Sequence, residues 1–202
     1  MLLRTGNSPL KLSEVHRYAE KCHAQVVNRD GTVGQRRKYT FEPYISHPLA
    51  VAGMVATVEQ ASREMVAAAL LHDVVEDTAG TLEEIEALFG QTVAQYVDWL
   101  TVRTTPADGN RAWRMRVEAE RLARAPAEVQ TIKLADMIDN TRSIVTHDPK
   151  FALVYLSEKA HLLVNLTKGD DRLHGLAGDQ IELGLRLLQE SEHNPSRPQE
   201  RM

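Results

Sequence analysis

Hydrophobic positions recur at intervals of three or four residues along most of this chain, which is the spacing of amphipathic helices. No useful stretch alternates hydrophobic and polar residues with the period of a strand. The pattern predicts one helix that begins at a cap at Ser13, a second over 46–60 and a third that begins at a cap at Ser62. Two more follow over 81–90 and from there to about 102, and another ends at about 123. The last three predicted helices cover 128–138, 148–167 and 171–190. We therefore predict an all-α, single-domain helical bundle.

Two breaks and a tail interrupt the helical pattern. Residues 28–42 contain two glycines and a basic cluster, and "TPADGN" at 105–110 contains proline and glycine, so both segments are predicted loops. The last stretch, 191–202, is polar and is predicted to be a disordered tail. The predicted domain therefore covers 1–190.

Composition narrows the class of protein. The chain has 202 residues, 43% of them hydrophobic and 26% charged, as in ordinary globular domains. Its net charge of −4 predicts no nucleic-acid or membrane partner, so local cations must hold any anionic substrate. The single cysteine, Cys22, excludes an internal disulfide and favours a reducing cytoplasm. No apolar run has the ~18 residues that a membrane span requires.

A cluster of ionisable residues follows the most apolar predicted helix. The run from Met65 to Leu71 precedes His72 and Asp73, and Glu76 and Asp77 come one turn later. Burying such groups is costly unless a partner compensates them. On a continuous helix His72 would stack with Glu76, and Asp73 with Asp77, an arrangement that a divalent metal and its water could use. The alternative is an ordinary polar helix end.

Two other segments supply similar residues. His47 begins a predicted helix, and Asp136 interrupts a core-like stretch. Added to the His-Asp dipeptide, they make a set of two imidazoles and two carboxylates, which suits Mn²⁺, Fe²⁺, Mg²⁺ or Zn²⁺. Taken alone, His47 is more typical of a capping or core histidine. Asp136 alone is more typical of an ion-pair partner of Lys133 or Arg142.

The order His…His-Asp…Asp resembles the HD phosphohydrolase superfamily. The surrounding motifs are Arg37-Lys38, "PYISHPLAVA" at 43–52, "ALLHDVVEDT" at 69–78, "FG" at 89–90 and "KLADMIDNTRS" at 133–143. Together they resemble the hydrolase domain of the RelA/SpoT family, in the stand-alone form called small alarmone hydrolases. The similarity runs from about Tyr18 to Ser143.

This resemblance implies an activity and a set of roles. Members of the family remove pyrophosphate from the 3′ position of alarmones such as (p)ppGpp with a bound Mn²⁺. The implied metal ligands are His47, His72, Asp73 and Asp136, and the implied catalytic pair acting on the attacking water is Glu76 and Asp77. Two other functions stay open: a general HD phosphohydrolase acting on other nucleotides, and a non-catalytic alarmone-binding module.

The resemblance also implies where the nucleotide binds. The expected substrate-binding residues are Arg37, Lys38, Tyr44, Asn140, Arg142, Ser143, Arg111 and Arg114. The alternatives without a function are a solvated basic loop for "QRRK" at 35–38, a core position for Tyr44, and a solvated helix face for Arg111 and Arg114. A small nucleotide is the expected partner, and a homo-oligomer and a functional pairing with an alarmone synthetase are left open.

Three features depart from the family. The loop between His23 and Gly34 is longer than usual, "YTFE" at 39–42 replaces a usual glycine, and Asp139 stands where His or Tyr is usual. We expect all three to lie on the nucleoside side of the pocket, away from the metal ligands. A moved acceptor can change base preference, so (p)ppGpp and (p)ppApp both remain candidate substrates.

Overall fold

Helices dominate residues 9–193, the part of the chain that the computed structural model describes. They are α1 (Leu12–Ala24), α2 (Ser46–Val55), α3 (Arg63–Leu71), α4 (Val74–Asp77), α5 (Leu82–Phe89), α6 (Gln91–Leu100), α7 (Arg111–Leu122), α8 (Ala127–His147), α9 (Pro149–Leu163) and α10 (Asp171–His193). Strand-like pairing in this range is confined to two isolated bridges, both in the predicted loop 28–42 or at its ends. The all-α prediction is confirmed.

Several helix ends follow the predicted local chemistry. Ser62 caps α3 by accepting the amide of Met65 at 3.1 Å, and Thr81 and Glu84 form a complete capping box at α5. Gly90 separates α5 from α6 with φ +97°, a value that glycine adopts at little cost. No helix within residues 9–193 is both long and apolar enough to cross a bilayer.

Other boundaries differ from the prediction. Helix α1 begins at Leu12, so Ser13 lies inside it and is not its cap. Helix α2 ends at Val55 and not near position 60, and just beyond its end the Thr57 hydroxyl donates to the carbonyl of Met54. Helix α8 continues through its polar residues to His147, well beyond position 138. Helix α10 reaches His193, and the rest of the predicted tail, 194–202, lies outside the described residues.

The predicted continuous helix through the His-Asp dipeptide is wrong. Helix α3 ends at Leu71 and α4 begins at Val74, so His72 and Asp73 form the turn between them. The amide of Asp77 still donates to the carbonyl of Asp73 at 2.9 Å, which keeps one helical turn in register.

Helix α3 forms the centre of the core. Met65 and every residue from Ala67 to Leu71 are buried. Its alanines let neighbouring helices approach closely, and α1, α2, α6 and α8 pack around it. Helix α8 in turn packs against α2, α9 and α10. This arrangement brings the start of α2, the end of α3 and the middle of α8 together.

Candidate metal centre and its cavity

Two imidazoles and two carboxylates from three separated segments meet below one surface cavity. His47 Nε2 lies 3.2 Å from His72 Nε2, 3.6 Å from Asp73 Oδ2 and 3.2 Å from Asp136 Oδ1. His72 Nε2 lies 3.1 Å from Asp73 Oδ2 and 3.8 Å from Asp136 Oδ1. The convergence expected from the sequence is therefore present.

Each histidine is oriented through its other ring nitrogen. His72 Nδ1 lies 2.8 Å from the carbonyl of Ala69, and His47 Nδ1 lies 2.6 Å from Asp139 Oδ2. Both of these neighbours are acceptors, so both Nδ1 atoms carry the proton. The two Nε2 atoms therefore face the centre of the cluster, where their lone pairs could bind a metal ion.

The four donors fit a divalent cation. Metal–ligand bonds of about 2.0–2.2 Å place neighbouring ligand atoms roughly 3–4 Å apart, as they are found here. Buried facing Nε2 atoms repel each other unless a proton or a cation lies between them. Mixed nitrogen and oxygen donors suit a borderline or hard ion. His47, His72 and Asp73 form the group whose donor atoms all lie close to one another, and Asp136 Oδ1 lies beside both histidines. This donor set supports a metal centre.

The charges of the cluster are mutually stabilising. Burial opposes protonation of His47 and His72, but the nearby carboxylates outweigh it and raise the pKa of both imidazoles. Burial also opposes ionisation of Asp136, but Lys133 and the histidines outweigh it and lower the pKa of that carboxyl. Lys133 Nζ lies 2.7 Å from Asp136 Oδ2, so the ion pair considered from the sequence exists alongside the cluster.

The two carboxylates of α4 face different surroundings. Glu76 lines the cavity, and its Oε2 accepts the amide of Val102 at 3.2 Å. Asp77 is not among the residues lining that cavity, and its Oδ2 accepts from Gln35 Nε2 at 2.8 Å. Burial raises the pKa of both side chains. The geometry thus distinguishes two residues that the sequence treats as a pair.

The cavity above the cluster has a volume of about 370 Å³. Its wall combines carboxylates with five cationic side chains and four aromatic rings. The cations are Arg37, Lys38, Arg111, Lys133 and Lys159, and the aromatic residues are Tyr39, Tyr44, Phe151 and Tyr155. Such a wall suits a ligand with both negative charge and a flat ring.

Most of these cations already have an acidic partner. Arg111 binds Glu158 through two bonds of 2.7 and 2.8 Å, and Lys38 lies 3.4 Å from Asp148. Lys159 enters no ion pair found within the described part of the chain, and its Nζ lies 5.0 Å from the centre of the Tyr155 ring. Burial and the neighbouring Lys133 lower the pKa of Lys159 to about 8.

The expected substrate-binding residues fall into two groups. Arg37, Lys38, Tyr44, Asn140, Ser143 and Arg111 line the cavity, whereas Arg142 and Arg114 are not among its lining residues. Arg142 is exposed on α8. Tyr44 is more than a wall, because its hydroxyl donates to Asp73 Oδ2 at 2.7 Å and so helps to hold a candidate ligand.

The expectation that Asp139 lies away from the metal ligands is wrong. Its carboxylate contacts His47 directly, at 2.6 Å, and it also binds Arg37 Nη2 at 3.0 Å. The physical reason is the continuation of α8: one further helical turn points Asp139 towards the start of α2. Asp139 thus supports the cluster from behind.

Sequence reasoning missed residues on α9 and in the loop. Phe151, Tyr155 and Lys159 are spaced by four and line the cavity from one face of α9. A lysine on that otherwise aromatic face was the available signal. His23 and Gln35 were also missed: Gln35 Oε1 accepts from His23 Nδ1 at 2.7 Å, and Gln35 Nε2 donates to Asp77. No sequence pattern pointed to that contact.

Comparison with known proteins agrees with this geometry. The chain is 34% identical over 141 residues to the guanosine-3′,5′-bis(diphosphate) 3′-pyrophosphohydrolase MESH1 of Drosophila melanogaster, covering 69% of this chain and 72% of that protein. It is 37% identical over 132 residues to a probable enzyme of the same name from Synechocystis, covering 64% of this chain but only 17% of the longer relative.

A solved structure shares the fold. It is described as a metazoan ortholog of SpoT that hydrolyses ppGpp and plays a role in starvation responses. It matches 89% of this chain and 98% of its own chain, with a TM-score of 0.73 and 27% identity. A family model described as an HD domain matches residues 16–172. The resemblance inferred from the motifs is confirmed, and the chain belongs to the HD domain family.

Proposed function

We propose that this protein is a divalent-metal-dependent hydrolase that removes pyrophosphate from the 3′ position of a nucleotide alarmone, with ppGpp as the first candidate and Mn²⁺ as the metal. One observation carries the proposal. The two imidazoles and two carboxylates converge directly beneath a cavity whose wall is rich in cations and aromatic rings. The names of the relatives support the substrate class.

The protein residues around the cluster have separable tasks. His47, His72, Asp73 and Asp136 would hold the cation, which supplies Lewis acidity towards a phosphate and a water molecule. Lys133 keeps Asp136 ionised, and Tyr44 holds Asp73 in place. Glu76 lies in the cavity wall with a pKa raised by burial, which suits a general base near neutral pH.

The reaction conserves its atoms as a simple hydrolysis. Water attacks the phosphorus atom attached to the ribose 3′ oxygen, and Glu76 accepts a proton from that water. The bond between phosphorus and the 3′ oxygen breaks, pyrophosphate leaves, and the proton is returned to the 3′ oxygen. The remaining product is a nucleoside 5′-diphosphate with a free 3′ hydroxyl.

The phosphates of the substrate that do not contact the metal need cationic side chains that are not already paired with a carboxylate. The guanidinium of Arg111 already donates two hydrogen bonds to the carboxylate of Glu158, and Lys133 is paired with Asp136. Lys159 is half-buried, faces the same cavity and lacks a carboxylate partner within the described residues. It is therefore our first candidate for direct contact with a phosphate, and the rings of Phe151 and Tyr155 flank it on α9.

A product assay tests the proposal. Purified protein and Mn²⁺ are incubated with ppGpp, with ppApp and with a mixture of dNTPs, and the products are identified. We expect pyrophosphate and a nucleoside 5′-diphosphate from one of the alarmones, and no turnover by Asp73→Ala, which removes a metal ligand. Phosphate release from dNTPs would instead indicate a general nucleotide phosphohydrolase, and absence of turnover would indicate a binding module.

The same assay decides between guanine and adenine. Asp139 is one of the departures from the family that could alter base preference, but its carboxylate is engaged by His47 and Arg37. We therefore expect ppGpp to be turned over with the higher kcat/KM. A cytoplasmic location, a homo-oligomer and a pairing with an alarmone synthetase stay predictions.

A further inference from the structure

Asp139, Arg37 and Asn140 form a closed set of contacts behind the candidate metal centre, which we call the Arg37 clamp. Arg37 Nη2 donates to Asp139 Oδ2 at 3.0 Å, and Arg37 Nη1 donates to Asn140 Oδ1 at 2.9 Å. We propose that the Arg37 clamp positions two metal ligands, His47 and Asp136, and so sets the affinity of the site for its cation. This inference rests on the metal centre of the proposed function.

The first arm of the clamp reaches His47. Asp139 Oδ2 lies 2.6 Å from His47 Nδ1 and accepts a hydrogen bond from it, which leaves Nε2 facing the cluster. His72 obtains the same orientation from the carbonyl of Ala69 in α3, the helix that His72 directly follows. His47 stands at the start of α2 and depends instead on a side chain of α8. Its orientation is therefore open to change by substitution.

The second arm reaches Asp136. Asn140 Nδ2 donates to Asp136 Oδ1 at 2.6 Å, one helical turn back along α8. The same Asp136 oxygen lies 3.2 Å from His47 Nε2. The contacts thus run from His47 through Asp139, Arg37 and Asn140 to Asp136 and back to His47. One guanidinium orients both arms, because its rigid planar fork fixes the direction of both bonds.

The clamp gives Arg37 a task that does not involve the nucleotide. Its side chain is only 15% exposed, although it lies in the loop between α1 and α2. The adjacent Arg36 is exposed, and its side chain donates to the carbonyl of Phe41 within that loop. If Arg37 served the nucleotide alone, its loss would leave metal affinity unchanged. As part of the clamp, its loss weakens the binding of the metal itself.

The test measures Mn²⁺ affinity of the full chain by isothermal titration calorimetry, without nucleotide. Arg37→Ala and Asp139→Ala should each raise the Kd for Mn²⁺ roughly 10- to 100-fold, the usual cost of losing a partner of a metal ligand. Asp139→Asn keeps an oxygen acceptor for His47 and should lose less. The double variant Arg37→Ala/Asp139→Ala should lose much less than the product of the two single losses, because both act on one unit.

Arg36→Ala and Asp179→Ala are the matched controls and should bind Mn²⁺ as the wild type does. Circular dichroism in EDTA checks that each variant is folded; if Asp139→Ala is not, Arg37→Ala and Asp139→Asn still decide. The clamp would be overturned if Arg37→Ala and Asp139→Asn both had the wild-type Kd for Mn²⁺. It would also be overturned if the losses in the double variant were fully multiplicative. A wild-type chain that fails to bind Mn²⁺ would remove the metal centre itself, and the clamp with it.

Discussion

Glu76 and Asp77 show how neighbouring carboxylates acquire different chemistry from their surroundings. Glu76 lines the cavity together with Asp73 and Lys133, whereas Asp77 is held by Gln35 outside the lining. A general base must reach the water whose proton it accepts. Position in the wall therefore favours Glu76 as the base and leaves Asp77 to brace the short helix α4 against the loop.

Replacing Glu76 should separate catalysis from metal binding. We expect Glu76→Gln to lower kcat roughly 10²- to 10⁴-fold, the usual contribution of a general base, with little change in the Kd for Mn²⁺. Steady-state kinetics and calorimetry measure the two quantities. Glu83→Gln, an exposed substitution on α5, is the control. A larger loss of kcat in Asp77→Asn than in Glu76→Gln would reverse the assignment.

Lys159 should impose a pH dependence on substrate binding. Its pKa is lowered to about 8, chiefly by burial and by Lys133, with Arg111 acting in the same direction and Asp136 and Glu158 opposing them. Because a lysine is cationic below its pKa, the charge that attracts a phosphate is present at pH 7 and is lost as the pH rises through about 8. KM for the alarmone should therefore increase above that pH.

Variants of Lys159 make the pH dependence specific. Lys159→Arg keeps its charge throughout, so the rise in KM near pH 8 should disappear. Lys159→Ala should raise KM about 10- to 100-fold at pH 7, as expected for a lost charged hydrogen bond of about 1.5–3 kcal/mol. Lys150→Ala, an exposed change near the start of α9, should leave KM unaltered. An unchanged pH profile in Lys159→Arg would exclude Lys159 as its source.

Helix ends were predictable where the chemistry is local. The caps at Ser62 and Thr81 and the glycine at 90 each act on residues within one turn, so the sequence contains the whole interaction. The break at His72 is different. Tyr44 and Gln35, which hold Asp73 and Asp77, come from the distant loop between α1 and α2. The hydrophobic periodicity of α3 gives no information about contacts with residues that are far away in the sequence.

The connection between α9 and α10 depends on close contact with α8. The amide of Lys168 donates to Gln130 Oε1 at 2.8 Å, and the amide of Asp170 donates to Thr131 Oγ1 at 3.0 Å. Between them, a Cβ on Gly169 would lie 2.6 Å from Leu134 Cδ1 and 3.2 Å from backbone atoms of α8. The backbones therefore touch only because residue 169 has no side chain.

Gly169→Ala should destabilise the fold by roughly 1–3 kcal/mol, the usual cost of overpacking a close contact. For a chain of this length the melting temperature should fall by about 2–4 °C for each kcal/mol, measured by circular dichroism. Gly175→Ala on α10 is the control, because a Cβ there meets nothing within 4 Å. It should be neutral or stabilising by up to about 1 kcal/mol, since alanine favours helix. Equal melting temperatures for the two variants would contradict this account of the connection.

The site could be predicted only in part from the sequence. Residue types and motif order identified His47, His72, Asp73 and Asp136 as a set, and the resemblance implied that they meet. Hydrophobic periodicity alone could not bring α2, α3 and α8 together, because it reports which face of a helix is buried and not which helix covers it. The Arg37 clamp could not be predicted for the same reason, because the partner of Asp139 lies about a hundred positions earlier in the chain.

Because the four donors come from α2, from α8 and from the turn between α3 and α4, a bound cation should stabilise the whole fold. The unfolded chain does not hold the donors together, so we expect Mn²⁺ to bind the folded state preferentially. A concentration of 100 times its Kd would then stabilise that state by about 2.7 kcal/mol. The melting temperature should then rise by roughly 5–10 °C. Thermal melts with Mn²⁺ and with EDTA measure the difference. Asp73→Ala should abolish the rise, and Asp179→Ala, exposed on α10, should keep it. A rise that persists in full in Asp73→Ala would place the stabilising cation somewhere other than this cluster.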